Sequence, residues 1–224
     1  MKRLENKALF SDFNHTIASV LFEESTYPWE ILPLIHDFIL EIGMLLDPSE
    51  YDQVGEDVWI AKTAEVAPTA YIHGPAIIGP EAKIRHCAFI RTDAIVGAGA
   101  TVGNSTELKN VILFDKVEVP HYNYVGDSIL GYHAHMGAGS ITSNVKSDRK
   151  LVEIHVDGRD YETGRKKIGA ILGDYVEVGC GSILNPGSVV GKHTNIYPLS
   201  SVRGFVPENS IYKKGNEIVE KMDY

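Results

Sequence analysis

The residues able to do chemistry crowd into one part of this chain. Between Val102 and Asn144 lie two polar runs, His121-Tyr122-Asn123-Tyr124-Val125-Gly126-Asp127 and Gly137-Ala138-Gly139-Ser140-Ile141-Thr142-Ser143-Asn144. A neutral imidazole takes a proton readily near pH 7, so His121, His133 and His135 are the first residues to weigh. His133 and His135 flank one residue and would point the same way from a strand. No third ligand can be assigned to them, and a catalytic zinc needs three protein donors, so no metal is expected. Arg91, Lys109 and Lys167 carry the donors that a phosphate dianion attracts, although each alone reads as a solvated charge. Cys87 and Cys180 are the only two cysteines. They read as reduced thiols of a cytoplasmic protein rather than as a disulfide framework, and neither is given a nucleophilic role.

The elements that must position these groups follow from an unusual period. From Val54 to Leu108 every sixth residue is aliphatic: Val54, Ile60, Val66, Ile72, Ile78, Ile84, Ile90, Val96, Val102 and Leu108. Four places after each sits alanine, from Ala64 to Ala100, with Val58 and Thr106 as the exceptions. Helices repeat near 3.6 residues and simple strands at two. A period of six, with one large and one small inward residue, describes short strands joined by tight corners, the hexapeptide form of a parallel β-helix. Three hexads close one coil. After Leu108 the inward residues are read as Leu113, Val119, Val125, Leu130 and Met136, at spacings of five or six. Arrays shift their period where a site must be built, and this slip coincides with the polar runs.

Residues 143–166 break the pattern. They are charged, and the alternating run from Leu151 to Val156 precedes the turn Asp157-Gly158, so an inserted loop carrying a β-hairpin is expected. Hexads resume at Leu172, Val178, Leu184, Val190, Ile196 and Val202, which predicts roughly seven coils, ~30–35 Å long at a strand spacing of ~4.8 Å. Ahead of the repeat, Pro28 to Leu46 shows helical spacing of apolar residues, interrupted by Glu30, His36, Asp37 and Glu41, so it is not a membrane span. The expected organisation is an N-terminal helical cap (1–50) that caps or flanks the open end, a β-helix (51–207) with its insertion, and a tail (208–224) forming a short helix or none. The net charge of −9 argues against a nucleic-acid surface, and no secretion signal opens the chain.

The segment 102–144 resembles the acetyltransferase domain of bifunctional N-acetylglucosamine-1-phosphate uridyltransferase/glucosamine-1-phosphate acetyltransferases. It is closer still to sugar-1-phosphate nucleotidylyltransferases whose solenoid carries the insertion seen here, ending in residues 164–174. The likeness covers about residues 54–207. It implies a left-handed parallel β-helix, mainly β, with acetyl-CoA as co-substrate and an amino-sugar 1-phosphate as acceptor. It further implies a cytoplasmic homotrimer serving UDP-N-acetylglucosamine biosynthesis. In that family His121 matches the catalytic histidine. Arg91, Lys109, Tyr124 and Lys167 match sugar-phosphate ligands, and Glu107 and Asn144 match positions on the sugar, Asn144 also orienting the thioester. Ala138 and Cys180 match contacts to the pantetheine arm, Cys180 standing where serine is common. Two further departures are His135, where asparagine beside the amine is usual, and Val145, where tyrosine is usual; the first bears on which amino sugar is accepted. Fifty residues ahead of the repeat cannot hold a nucleotidyltransferase domain, and no Gly-rich nucleotide loop precedes it, so uridyl transfer is not expected. Competing readings are a zinc lyase like the γ-class carbonic anhydrases, whose histidine spacing is missing, a non-catalytic scaffold retaining an old site, and a hexapeptide acyltransferase with another acceptor.

Overall fold

The computed structural model describes residues 2–213, 215 and 217–221. The hexads wind into a left-handed parallel β-helix. Each gives two or three residues to a strand and the rest to a corner, so the chain returns above its start after three. Val58 pairs with Ala76 and Ala76 with Ala94; Ile60 stacks under Ile78 and Val96. Among the described residues the first face carries eight rungs, from Val58–Ala61 to Phe205–Val206, and the second eight, from Glu65–Val66 to Ser210–Tyr212. The third has seven, from Tyr71–Ile72 to Ser201–Val202. Ile78, Val96, Leu113, Leu130, Leu172, Val190 and Val206 form one inward column, each at most 1% exposed. Full burial of such a side chain is worth about 1.5–3 kcal/mol, and repetition over three columns holds the solenoid together.

Both ends depart from the expected boundaries. Val54 is 59% exposed and belongs to the strand Tyr51–Gly55, which runs antiparallel to Val58–Ala61. The repeat therefore starts at Val58. Val66 remains 38% exposed, because its coil has a neighbour on one side only. At the other end the expected tail continues the array. Ser210–Tyr212 extends the second face and Ile218–Glu220 folds back antiparallel upon it. An antiparallel cover at each end occupies the edge that would otherwise invite another chain.

The N-terminal segment is helical but lies along the flank instead of over an end. Its expected helix from Pro28 to Leu46 is broken into Pro28–Ile31 and Ile35–Gly43. Pro33 is the cause: it has no N–H, and its ring crowds the carbonyl four residues back. Ile31, Ile35, Phe38 and Ile39 are buried, and at Gly43 an added Cβ would stand 2.5 Å from the Trp59 ring. Nearer the start, Phe10 stacks on Phe114 at 5.0 Å. Leu9 O accepts from Asp174 N at 3.1 Å and His15 O from Asp115 N at 2.9 Å.

The insertion bears the expected hairpin, Glu153–Val156 against Arg159–Glu162. Asp157 and Gly158 turn it with φ of 50° and 75°, the positive pair that a two-residue hairpin turn requires. Val152 and Ile154 are fully buried. An added Cβ at Gly187 would lie 2.6 Å from Val152 Cγ1, so the insertion is folded back onto the later coils.

Candidate active site

The slip in period builds one corner of the solenoid. Ile78 pairs with Val96, 18 residues on, but Val96 pairs with Leu113 and Leu113 with Leu130, each 17 on. One residue is lost between the third face and the first. The strands Glu107–Leu113 and Tyr124–Leu130 run through the corner unbroken, as Phe89–Val96 does on the rung before, bending at Asn110 and Asp127 with φ of 54° and 48°. Asparagine and aspartate tolerate this left-handed region better than other non-glycine residues. Their side chains meet there, Asn110 Nδ2 donating to Asp127 Oδ1 at 3.0 Å.

Asp127 is the hub of the polar cluster. Only 3% exposed, it also accepts from Lys109 Nζ at 2.8 Å and from Asn144 Nδ2 at 2.5 Å. Asn144 Nδ2 lies 3.2 Å from the Tyr124 hydroxyl, the acceptor there. Burial pushes the Tyr124 phenol above its ordinary value, and the charges of Asp127 and Glu107 push it further; Asn144 and Arg91 oppose them. Tyr124 is thus held as a neutral phenol. Beside it on the third face, Arg91 Nη1 donates to Glu107 Oε1 at 3.0 Å. Phe89, Glu107 and Tyr124 are register partners on successive rungs there.

His121 occupies a different corner, between the second and third faces. Its backbone oxygen accepts from Gly139 N at 3.0 Å, Ala138 O accepts from Gly181 N at 2.9 Å, and Cys180 O from Leu199 N at 2.9 Å. His121, Ala138 and Cys180 therefore stack on three consecutive rungs. The imidazole is exposed and has no hydrogen-bond partner among the described residues. Its backbone N–H is held by Asn123 Oδ1 at 3.0 Å, and the Asn123 amide in turn donates to Gly137 O and Ser140 O. Both cysteines are free and exposed.

The sequence-predicted residues thus fall into two groups and one outlier. Arg91, Glu107, Lys109, Tyr124 and Asn144 gather on the third face and its corner with the first. Lys167 joins them through the antiparallel bridge it makes with Val145, and it lines one cleft with Lys109 and Asp127. Arg91 and Lys109 do not converge on a common point, since each is turned to its own carboxylate, Glu107 and Asp127. His121, Ala138 and Cys180 form the second group. His135 joins neither: it lies mid-way along the second face, its Nδ1 2.8 Å from Glu177 Oε2. The residues missed from sequence are Asp127 and Asn110, and the shortened spacing was the signal that could have found them. Among the described residues no three metal-ligating side chains gather, and no helix is long and apolar enough to cross a membrane.

A family model described as the GMPPB C-terminal domain matches residues 72–206. Curated relatives include a Bifunctional protein GlmU of Methanococcus maripaludis, 31% identical over 87% of this chain and 48% of that protein. A Bifunctional sugar-1-phosphate nucleotidylyltransferase/acetyltransferase of Sulfurisphaera tokodaii is 32% identical over 70% of this chain and 39% of that protein. The chain thus spans less than half the length of these relatives. Among solved structures it is similar to a putative acetyltransferase of Bacillus cereus, at 18% identity and a TM-score of 0.41, covering 73% of this chain and 77% of that one.

Proposed function

Because the chain belongs to the GMPPB C-terminal domain family, we propose that it transfers acetyl from acetyl-CoA to the amine of an amino-sugar 1-phosphate of the glucosamine 1-phosphate type. One observation carries this reading: the exposed His121 stands at the head of a corner where the small side chains of Ala138 and Cys180 follow on the next two rungs, so a slender chain can lie across them with its thioester at the imidazole. A relative named as a bifunctional sugar-1-phosphate nucleotidylyltransferase/acetyltransferase supports the class of reaction. His121 takes a proton from the amine as nitrogen attacks the thioester carbonyl. The tetrahedral intermediate then collapses, expelling the thiolate of CoA, which takes up the proton from the imidazolium. Arg91, Lys109 and Lys167 bind the phosphate, which displaces or shares the carboxylates that Arg91 and Lys109 now hold. Tyr124, Glu107 and Asn144 bind the sugar. His135, on the second face and paired with Glu177, makes its contribution to the acceptor site from a neighbouring copy.

The working molecule is a cytoplasmic homotrimer on this reading. Tyr122 at 65% and Leu199 at 83% exposure leave apolar surface uncovered near this corner, and a second copy covers it. The N-terminal helical segment and the insertion are accessories of one catalytic domain. Free-thiol release from acetyl-CoA against a panel of amino-sugar 1-phosphates tests the proposal. Release with one or more of them is expected; release with none favours a non-catalytic scaffold. Full activity of a particle that scatters light as a monomer would refute the trimer.

A further inference from the structure

The cleft shared by Lys109, Asp127 and Lys167 is wider than one phosphoryl group needs. It measures about 400 Å3 and is walled by three stretches of chain: the turn at Leu32 and Pro33 with His36, the solenoid corner with Asp93, Asn110 and Asp127, and the base of the insertion from Gly164 to Lys167. Its charge is at odds with the rest of the molecule. In a chain of net charge −9, four permanently cationic side chains, Lys109, Arg165, Lys166 and Lys167, line it against two carboxylates. Both carboxylates are already engaged, Asp93 with His36 Nδ1 at 2.7 Å and Asp127 with its three donors. Arg165, Lys166 and Lys167 have no carboxylate within salt-bridge distance among the described residues. Three successive cations with no carboxylate partner among the described residues, beside a fourth, favour the entry of an anion.

The backbone that carries them is fixed. Val152 N donates to Arg165 O at 2.7 Å, Arg165 N to Thr163 Oγ1 at 3.2 Å, and Ile168 N to Asn144 O at 3.1 Å. Val145 and Lys167 close the bridge between the two arms of the insertion. Such a pinned strand presents its cations at little further ordering cost, which favours binding. The His36–Asp93 pair closes the opposite wall and ties the N-terminal segment to the corner.

We propose that this cleft holds two adjacent phosphoryl groups: the first at Lys109 and Lys167, and a second at Arg165 and Lys166. The occupant is a diphosphate, free or as a nucleoside diphosphate ester. The first subsite is the one assigned to the sugar phosphate above, and to that extent the inference rests on the proposed function; the second subsite does not belong to an amino-sugar 1-phosphate.

Calorimetric titration of the full chain with inorganic phosphate, inorganic diphosphate and uridine diphosphate tests it. Diphosphate should bind about tenfold or more tightly than phosphate, the gain expected of one added set of charge-assisted hydrogen bonds. In the double variant Arg165→Ala/Lys166→Ala, whose unchanged thermal midpoint is checked alongside, that difference should vanish while phosphate affinity persists. Uridine diphosphate binding like diphosphate identifies an ester as the occupant, and its failure to bind identifies the free anion. Equal affinity for phosphate and diphosphate, or a preference that survives in the double variant, overturns the second subsite and leaves the proposed acetyl transfer standing. Absence of binding by every anion overturns it together with the phosphate assignment of Lys109 and Lys167.

Discussion

The two corners that flank the third face solve opposite problems. At the corner headed by His121 the rungs carry small side chains, the imidazole has no partner, and the surface is open. At the corner bent through Asp127 a buried carboxylate gathers a lysine and two amides, and the period of the repeat is altered to make room for it. The first corner leaves its reactive group free and asks the ligand to supply the contacts. The second spends its contacts on itself before any ligand arrives, so that donors stand ready in fixed positions, which is how preorganised sites work. Removing a residue should therefore cost activity without stability at one corner, and both at the other.

The largest effect is expected at His121. His121→Ala should lower kcat about 10²–10⁴-fold, the usual contribution of a general base, and change unfolding free energy by less than ~0.5 kcal/mol as an exposed substitution. Steady-state kinetics together with urea unfolding read both; undiminished kcat would leave that corner without a catalytic task. Next comes Asp127. Asp127→Ala leaves Lys109 and two amides without their acceptor, and about 2–4 kcal/mol of stability should be lost. Asp127→Asn keeps the shape and one acceptor oxygen, so roughly half that loss is expected; equal losses would mean that the charge of Asp127 is immaterial. Arg91→Ala removes an exposed ion pair worth no more than ~1 kcal/mol, yet should raise KM for the sugar phosphate about tenfold, with kcat little changed. An unaltered KM would assign Arg91 to the surface alone.

The smallest effect belongs to Tyr124 and appears only at high pH. Its phenol is held above the ordinary 10.0, so on the alkaline side of that value the folded chain keeps a proton that the unfolded chain has lost. Stability then falls as pH rises through this window, and is fully present below it. Tyr124→Phe should abolish that part of the fall and remove one late-titrating tyrosine from the absorbance difference at alkaline pH. If the variant instead loses one tyrosine's absorbance change near the ordinary phenol value, with no late step missing, Tyr124 ionises as an exposed phenol.

How much of this was legible in the sequence depends on what each residue touches. Inward positions are set by neighbours one coil away, and one coil is a fixed number of residues, so Ile78, Leu113, Val125 and Met136 could all be placed from spacing alone. The insertion announced itself by breaking the period, and its turn by Asp157-Gly158. The flank could not be read: whether an apolar helix covers an end or a side is decided by long-range partners such as Trp59 and Asp174, which no local pattern encodes. Pro33 was readable and outweighed the helical spacing around it. At the candidate site the sequence named residues but not their grouping. That His121 and Asn144 occupy opposite edges of one face follows from where the chain turns, and so does the separation of His135 from both.

Repeat arrays whose coils touch only their neighbours tend to fray from the ends inward. The tether formed by residues 9–15 changes that. His15 holds the coil of Asp115, and the carboxylate of Asp174 accepts from both Ser11 N at 2.6 Å and Tyr132 N at 3.0 Å. Lys192 on the following coil reaches Ser11 Oγ at 3.4 Å. The tether thus spans the junction where the chain leaves the solenoid for the insertion, and adds to the strand pairing that joins one half to the other. Coils on either side must open together, and their slowest-exchanging amides should report one common opening free energy. Loosening residues 9–15 would split that unit in two and release both corners at once.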